Sequence, residues 1–332
     1  MSQLRSTTWQ GLSAWTLENA VTGVVIVPEM GAKIASLCDR RNGYEWIVGP
    51  IPGRAVRQAT YGAPFAEQDM AGWDEMFPTI IACAYPGAGP HHGVHLPDHG
   101  EAWALPWEVV KATGSELTLR LRGQVLPYRL TRTASLVAPT VFRLDYRLEN
   151  LGDEAMPYLW AAHPQFVIGP DGYVIFPPEV VTVINTIPPT WGWGEAETRF
   201  DWPEALAPDG SHKRLDTVGP ASAGQGRKFY ALADVHPAWA AVWSRSSGNW
   251  LRLEWDPARL PYLGVWTDEG AVHCEAVVSP QPTTGWYDDL SLAWRKGRVN
   301  IVPGESEQCW RLDVHLGIDG DPLPPHPREA TP

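Results

Sequence analysis

The sequence predicts an all-β fold, an antiparallel sandwich or barrel, and three observations carry that prediction. Segments spread along the chain alternate apolar and polar residues with a period of two, which sets one strand face in a core and the other in water. Proline supplies 32 of the 332 residues, roughly double ordinary usage, and it breaks long helices. No stretch carries an apolar stripe of helical period over three turns.

In chain order, VTGVVIVPEMGAKIASLCDRRNGYEWI reads as two short strands. The β-branched run Val24 to Val27 ends at Pro28 and Gly31. ELTLRLRG places Leu117, Leu119 and Leu121 on one face, and YRLTRTASL follows the same period. FRLDYRLEN is the clearest strand. Phe142, Leu144, Tyr146 and Leu148 alternate there with Arg143, Asp145, Arg147 and Glu149, and Asn150 with Gly152 marks the turn after it. NWLRLEW and CWRLDVHLG repeat the pattern near the end. One domain is expected over residues 1–317, with a proline-rich disordered tail over residues 318–332.

Composition excludes several classes of function. A net charge of −12 argues against a nucleic-acid partner, which needs a basic face, and against an anionic membrane surface. The four cysteines Cys38, Cys83, Cys274 and Cys309 form no C-x-x-C pair, so they read as free thiols in a reducing compartment. The opening MSQLRSTTWQGLSAW has no apolar signal core, and no apolar run is long enough to span a bilayer. A cytoplasmic protein is the expectation.

Three groups of residues could carry chemistry. His91, His92, His95 and His99 cluster within nine residues. His95 and His99 have the spacing of two ligands on a helix, but Pro97 and Gly100 oppose a helix there, so no metal is expected. His163 lies in the apolar PYLWAAHPQFVIG, either as a core residue or as an acid–base group in a pocket. AGWDEMFP places Trp73, Asp74, Glu75 and Phe77 together, as an exposed turn or as carboxylates and rings that bind sugar hydroxyls. The 18 tryptophans serve a core or a sugar site equally well by type.

Four motifs, in order, resemble the aldose 1-epimerase, or galactose mutarotase, superfamily: VPEMGAKIASLCDRRNGYEWI, LPDHGEAWALPWEV, YLWAAHPQF and SPQPTTGWYDDL. The resemblance spans roughly residues 20–317. It implies a large antiparallel β-sandwich of the galactose mutarotase type and interconversion of the α and β anomers of a free aldose. In that reaction a base removes the anomeric proton, an acid protonates the ring oxygen, and the open aldehyde rotates before closing. No cofactor is implied, and the partner is a monosaccharide or a sugar-terminated substrate.

The resemblance puts the general acid at His163 and a sugar-orienting imidazole at His99. The sugar-binding candidates are Trp73, Asp74 and Glu75 of AGWDEMFP, together with Trp103, Trp286 and Asp288 in the family-like motifs. The position of the family's basic glutamate reads Gln281, within Gln281-Pro282-Thr283-Thr284-Gly285. An amide binds hydroxyls but takes no proton. Binding can therefore survive without catalysis, or Asp288, Asp289, Glu275 or Glu269 replaces the base, and Gln281→Glu is expected to raise the rate. The family's sugar-binding arginine has no counterpart in FAEQDMAGWDEMFP. Two other functions fit the same resemblance. One is a non-catalytic carbohydrate-binding or sensing protein. The other is a hexose-phosphate epimerase using the basic pairs Lys213–Arg214 and Arg227–Lys228.

Overall fold

A computed structural model describes residues 2–191 and 193–323. Its strands form two large sheets, one 12-stranded and one 8-stranded, with every paired strand antiparallel to its neighbour among the ladders that build the site. The predicted alternation is what joins the sheets. In the strand Val141–Asn150, Phe142, Leu144, Tyr146 and Leu148 are buried, and they share one apolar cluster with Leu117, Leu119 and Leu121. The charged residues of the same strand turn outward and pair across the ladder, Arg143 with Asp313 at 2.7 Å and Asp145 with Arg311 at 2.7 Å.

One buried polar knot crosses between the sheets. Glu75, from the short strand Trp73–Met76 of the 12-stranded sheet, accepts from Arg132 of the strand Tyr128–Ala138 in the 8-stranded sheet at 2.7 Å. It also accepts from the Tyr146 hydroxyl at 2.7 Å and the Trp160 indole at 2.8 Å. Both charged side chains are 0% exposed, so each depends on the other for solvation.

Five adjacent strands of the 12-stranded sheet carry the site. Their order is Trp73–Met76, Ala161–Pro164, Ala276–Thr283, Tyr262–Glu269 and Gln225–Ala231. Among the described residues no helix is long and apolar enough to cross a membrane. Of the tail expected to be disordered, residues 324–332 lie outside the described residues. The preceding segment is held: the Pro322 carbonyl accepts from Arg252 at 2.8 Å.

Candidate functional site

A cavity of about 240 Å³ opens on the 12-stranded sheet. Each of the five adjacent strands gives it one residue: Met76, His163, Gln281, Trp266 and Lys228. Successive residues of a strand face opposite sides. Glu75 therefore reaches into the interior toward Arg132, while Asp74 and Met76 take the cavity side. Loops close the walls with Phe65, Asp98, His99 and Asp288. A larger depression of about 690 Å³ lies on the outer side of the 8-stranded sheet. Of its charges, Asp145, Arg311 and Asp313 are already paired across strands, so it offers less unspent chemistry.

The His99 wall is rigid. Asp98 accepts from Phe65 N at 2.8 Å and holds His99 Nδ1 at 2.9 Å, and the Phe65 ring stacks on the imidazole at 4.2 Å. The turn needs glycine at position 100, because φ is +72° and a Cβ would sit 2.1 Å from the Phe77 carbonyl oxygen. His163 stands beside it, the two imidazole centroids 5.4 Å apart.

On the other side Lys228 is the hub. Its Nζ donates to Gln281 Oε1 and lies 3.2 Å from Asp288 Oδ1, which also accepts from the Tyr230 hydroxyl. Gln281 Nε2 donates to Ser279 Oγ at 3.1 Å. Gly264 lies opposite both Tyr230 and Gln281 in register, and a Cβ there would come 2.9 Å from the Tyr230 ring. The Tyr230 ring thus occupies space that a side chain at position 264 would need, and its hydroxyl reaches Asp288.

No protein-family model matches the chain, and no curated protein matches its sequence. Solved structures do match in shape. A Synechocystis protein superposes with a TM-score of 0.68 at 17% identity, covering 95% of this chain and 99% of its own. A galactose mutarotase related enzyme from Lactobacillus acidophilus gives 0.66 at 17% identity, over 93% and 98%. A galactose mutarotase-like protein from Lactobacillus casei gives 0.65 at 19% identity, over 92% and 100%. The chain has the galactose mutarotase fold.

On this mutarotase fold the sequence-derived candidates divide. His99, His163, Gln281 and Asp288 line the one cavity. Trp73 and Glu75 are 0% exposed and face the interior. Trp103 stands behind the His99 wall, its indole donating to the Asp98 carbonyl at 3.1 Å. Trp286 donates to the Ala231 carbonyl at 2.9 Å and lies under Arg298. Asp74 pairs with Lys33 at 2.7 Å beneath the floor, where burial pushes its carboxyl up to about 6 against the pull of Lys33. Of the four carboxylates considered as a substitute base, only Asp288 lines the cavity. Asp289 caps the helix Leu290–Arg295, Glu269 binds Arg227 and Gly219 N, and Glu275 is exposed.

Two lining residues escaped the sequence reading of the sugar site. Trp266, half-buried, is the indole that does line the cavity, and it sits opposite Lys228 in register. Lys228 was visible only as half of a basic pair. Arg227 and Lys228 point to opposite faces, each onto its own carboxylate, Glu269 and Asp288. Arg214 is likewise taken up by Glu204 and Asp216. These pairs form no joint phosphate cradle.

Burial pushes the His163 imidazole well below the usual histidine range, helped by the positive charge of His99, Lys228 and Lys33. Its Nδ1 is buried without a partner. At neutral pH His163 is therefore an uncharged ring, with one nitrogen able to donate a hydrogen bond and the other able to accept one. NMR titration is expected to find it still neutral at about pH 6, half a unit below the free side chain's midpoint. An imidazolium signal at that pH would contradict this description.

Proposed function

We propose that the protein binds a free aldose in this cavity and interconverts its α and β anomers by acid–base ring opening. The observation that carries the reading is the meeting of an uncharged imidazole, a carboxylate and an ammonium, His163, Asp288 and Lys228, in one small cavity beside a half-buried indole. At about 240 Å³ the enclosed space is smaller than the roughly 300–1,000 Å³ pockets of drug-sized ligands, so it suits one sugar ring. Trp266 offers a face for the ring's C–H surface, and the polar groups meet its hydroxyls.

In this reading Asp288 takes the anomeric proton. His163, being neutral, orients the ring by a hydrogen bond and is a weak source of protons. Polarimetry of freshly dissolved α-glucose and α-galactose is expected to show faster equilibration with the protein present. Titration with the same sugars is expected to change tryptophan emission through Trp266. A second reading, a sugar-binding protein without catalysis, is favoured by Gln281, whose amide replaces a carboxylate and whose oxygen is already occupied by Lys228. Sugar-dependent emission without any acceleration would select that second reading.

A further inference from the structure

The reaction needs a proton delivered to the ring oxygen, and a neutral His163 supplies one poorly. We propose that Lys228 is that donor, and that it works with Asp288 as a single acid–base pair on the sugar's anomeric carbon. The inference rests on the reading of the cavity as an aldose site.

Geometry supports it first. The two oxygens that exchange protons, the anomeric hydroxyl and the ring oxygen, share one carbon. An acid and a base must therefore reach neighbouring atoms, and Lys228 Nζ and Asp288 Oδ1 are 3.2 Å apart. The groups also have capacity left. Nζ has three protons, of which one goes to Gln281 Oε1 and one faces Asp288. Asp288 Oδ1 holds the Tyr230 hydroxyl, and among the described residues no hydrogen bond engages Oδ2. One N–H and one carboxylate oxygen remain for the substrate.

The step balances. Asp288 Oδ2 takes the proton of the anomeric hydroxyl, and that oxygen forms a double bond to the anomeric carbon. The carbon–ring-oxygen bond breaks, its electron pair moves to the ring oxygen, and the ring oxygen takes a proton from Nζ. The protein is left with a carboxylic acid and an amine. After the aldehyde rotates, closure runs both transfers backwards and restores the ion pair, so no proton is drawn from solvent.

The environment of Lys228 suits a donor. Burial lowers its pKa from the usual lysine range, and Asp288 opposes the shift. Tyr230 faces it from its own strand, Trp266 from the neighbouring strand, Gln281 from the strand beyond that one, and Asp288 from the loop before the helix. Across the cavity stand His163, His99 and Asp98. Gln281 acquires a purpose here. A carboxylate at that position would put a second negative charge on the ammonium, raise its pKa and make it a weaker acid. The amide accepts the same hydrogen bond without the charge. The sequence-based expectation for Gln281→Glu is thereby revised: the added carboxylate holds the lysine proton instead of restoring a lost base.

The test compares anomer exchange, by polarimetry and NMR exchange spectroscopy, in the full-length protein and three variants across pH. Lys228→Arg keeps a cation but releases no proton in the working range, and is expected to lose about 10²–10⁴-fold in kcat while sugar-dependent tryptophan emission persists. Lys228→Met is expected to lose as much, and pairing it with Asp288→Asn removes both buried charges should the single variant fold poorly. Gln281→Glu is expected to move the alkaline limb of the rate profile to higher pH. Full kcat in Lys228→Arg, or an alkaline limb unmoved by Gln281→Glu, would overturn the pair while leaving the aldose site standing. A wild-type protein that accelerates no aldose would overturn both the pair and the anomer-interconversion reading, and one whose tryptophan emission also ignores sugar would overturn the aldose site as well.

Discussion

Asp288→Asn is expected to slow anomer interconversion by about 10²–10⁴-fold, the usual contribution of a positioned acid–base group, while sugar still binds. The substitution is nearly isosteric. The amide oxygen can still accept from Tyr230 and Lys228, so the loop before the helix keeps its place; the Asp288 carbonyl is anchored independently by Ile80 N and Ile81 N at 3.0 Å each. What disappears is the basic oxygen. Lys228 also loses its counter-charge, which drives its pKa lower still. Initial rates by polarimetry, set beside sugar titrations of tryptophan emission, separate chemistry from binding. An unchanged rate would transfer the base to Asp98, the other carboxylate lining the cavity.

Glu75→Ala is expected to cost about 3–5 kcal/mol of folding stability, as breaking a fully buried ion pair does, without weakening sugar binding by the folded fraction. The variant strands Arg132 at 0% exposure and removes the acceptor of the Tyr146 and Trp160 donors. Urea unfolding measures the loss. Replacing both partners, as in Glu75→Leu with Arg132→Met, is expected to recover most of it, because two apolar side chains leave no orphaned charge. A Glu75→Ala protein as stable as the wild type, or one that no longer binds sugar, would refute this account of Glu75.

The two outcomes mark how far the sequence could be read. Period-two alternation located Phe142 through Glu149 and assigned each residue its face, because that strand has one side in the core and one in water. The strand Trp73–Met76 defeats the same logic. All four of its residues are buried, so no polar face announces which side is which, and Asp74 and Glu75 look equivalent in the sequence. They are separated only by the pleat, one toward Lys33 and one toward Arg132. His99, His163 and Asp288 were legible because each lies in a local motif. Lys228 and Trp266 were not, because their placement depends on strands paired across long stretches of chain, with Lys228 bonding a residue 53 positions away.

The absent side chain at Gly264 also bears on how such a protein can change over generations. That position does not line the cavity, yet the Tyr230 ring packs against the space it leaves and its hydroxyl reaches Asp288. One methyl group there would come 2.9 Å from the Tyr230 ring and force it to shift, and the hydroxyl's bond to Asp288 is expected to weaken. If the cavity turns over an aldose as proposed, loss of turnover and loss of ligand recognition are then separable by mutation, and a lineage could drift from catalyst to sugar receptor through a substitution outside the cavity lining.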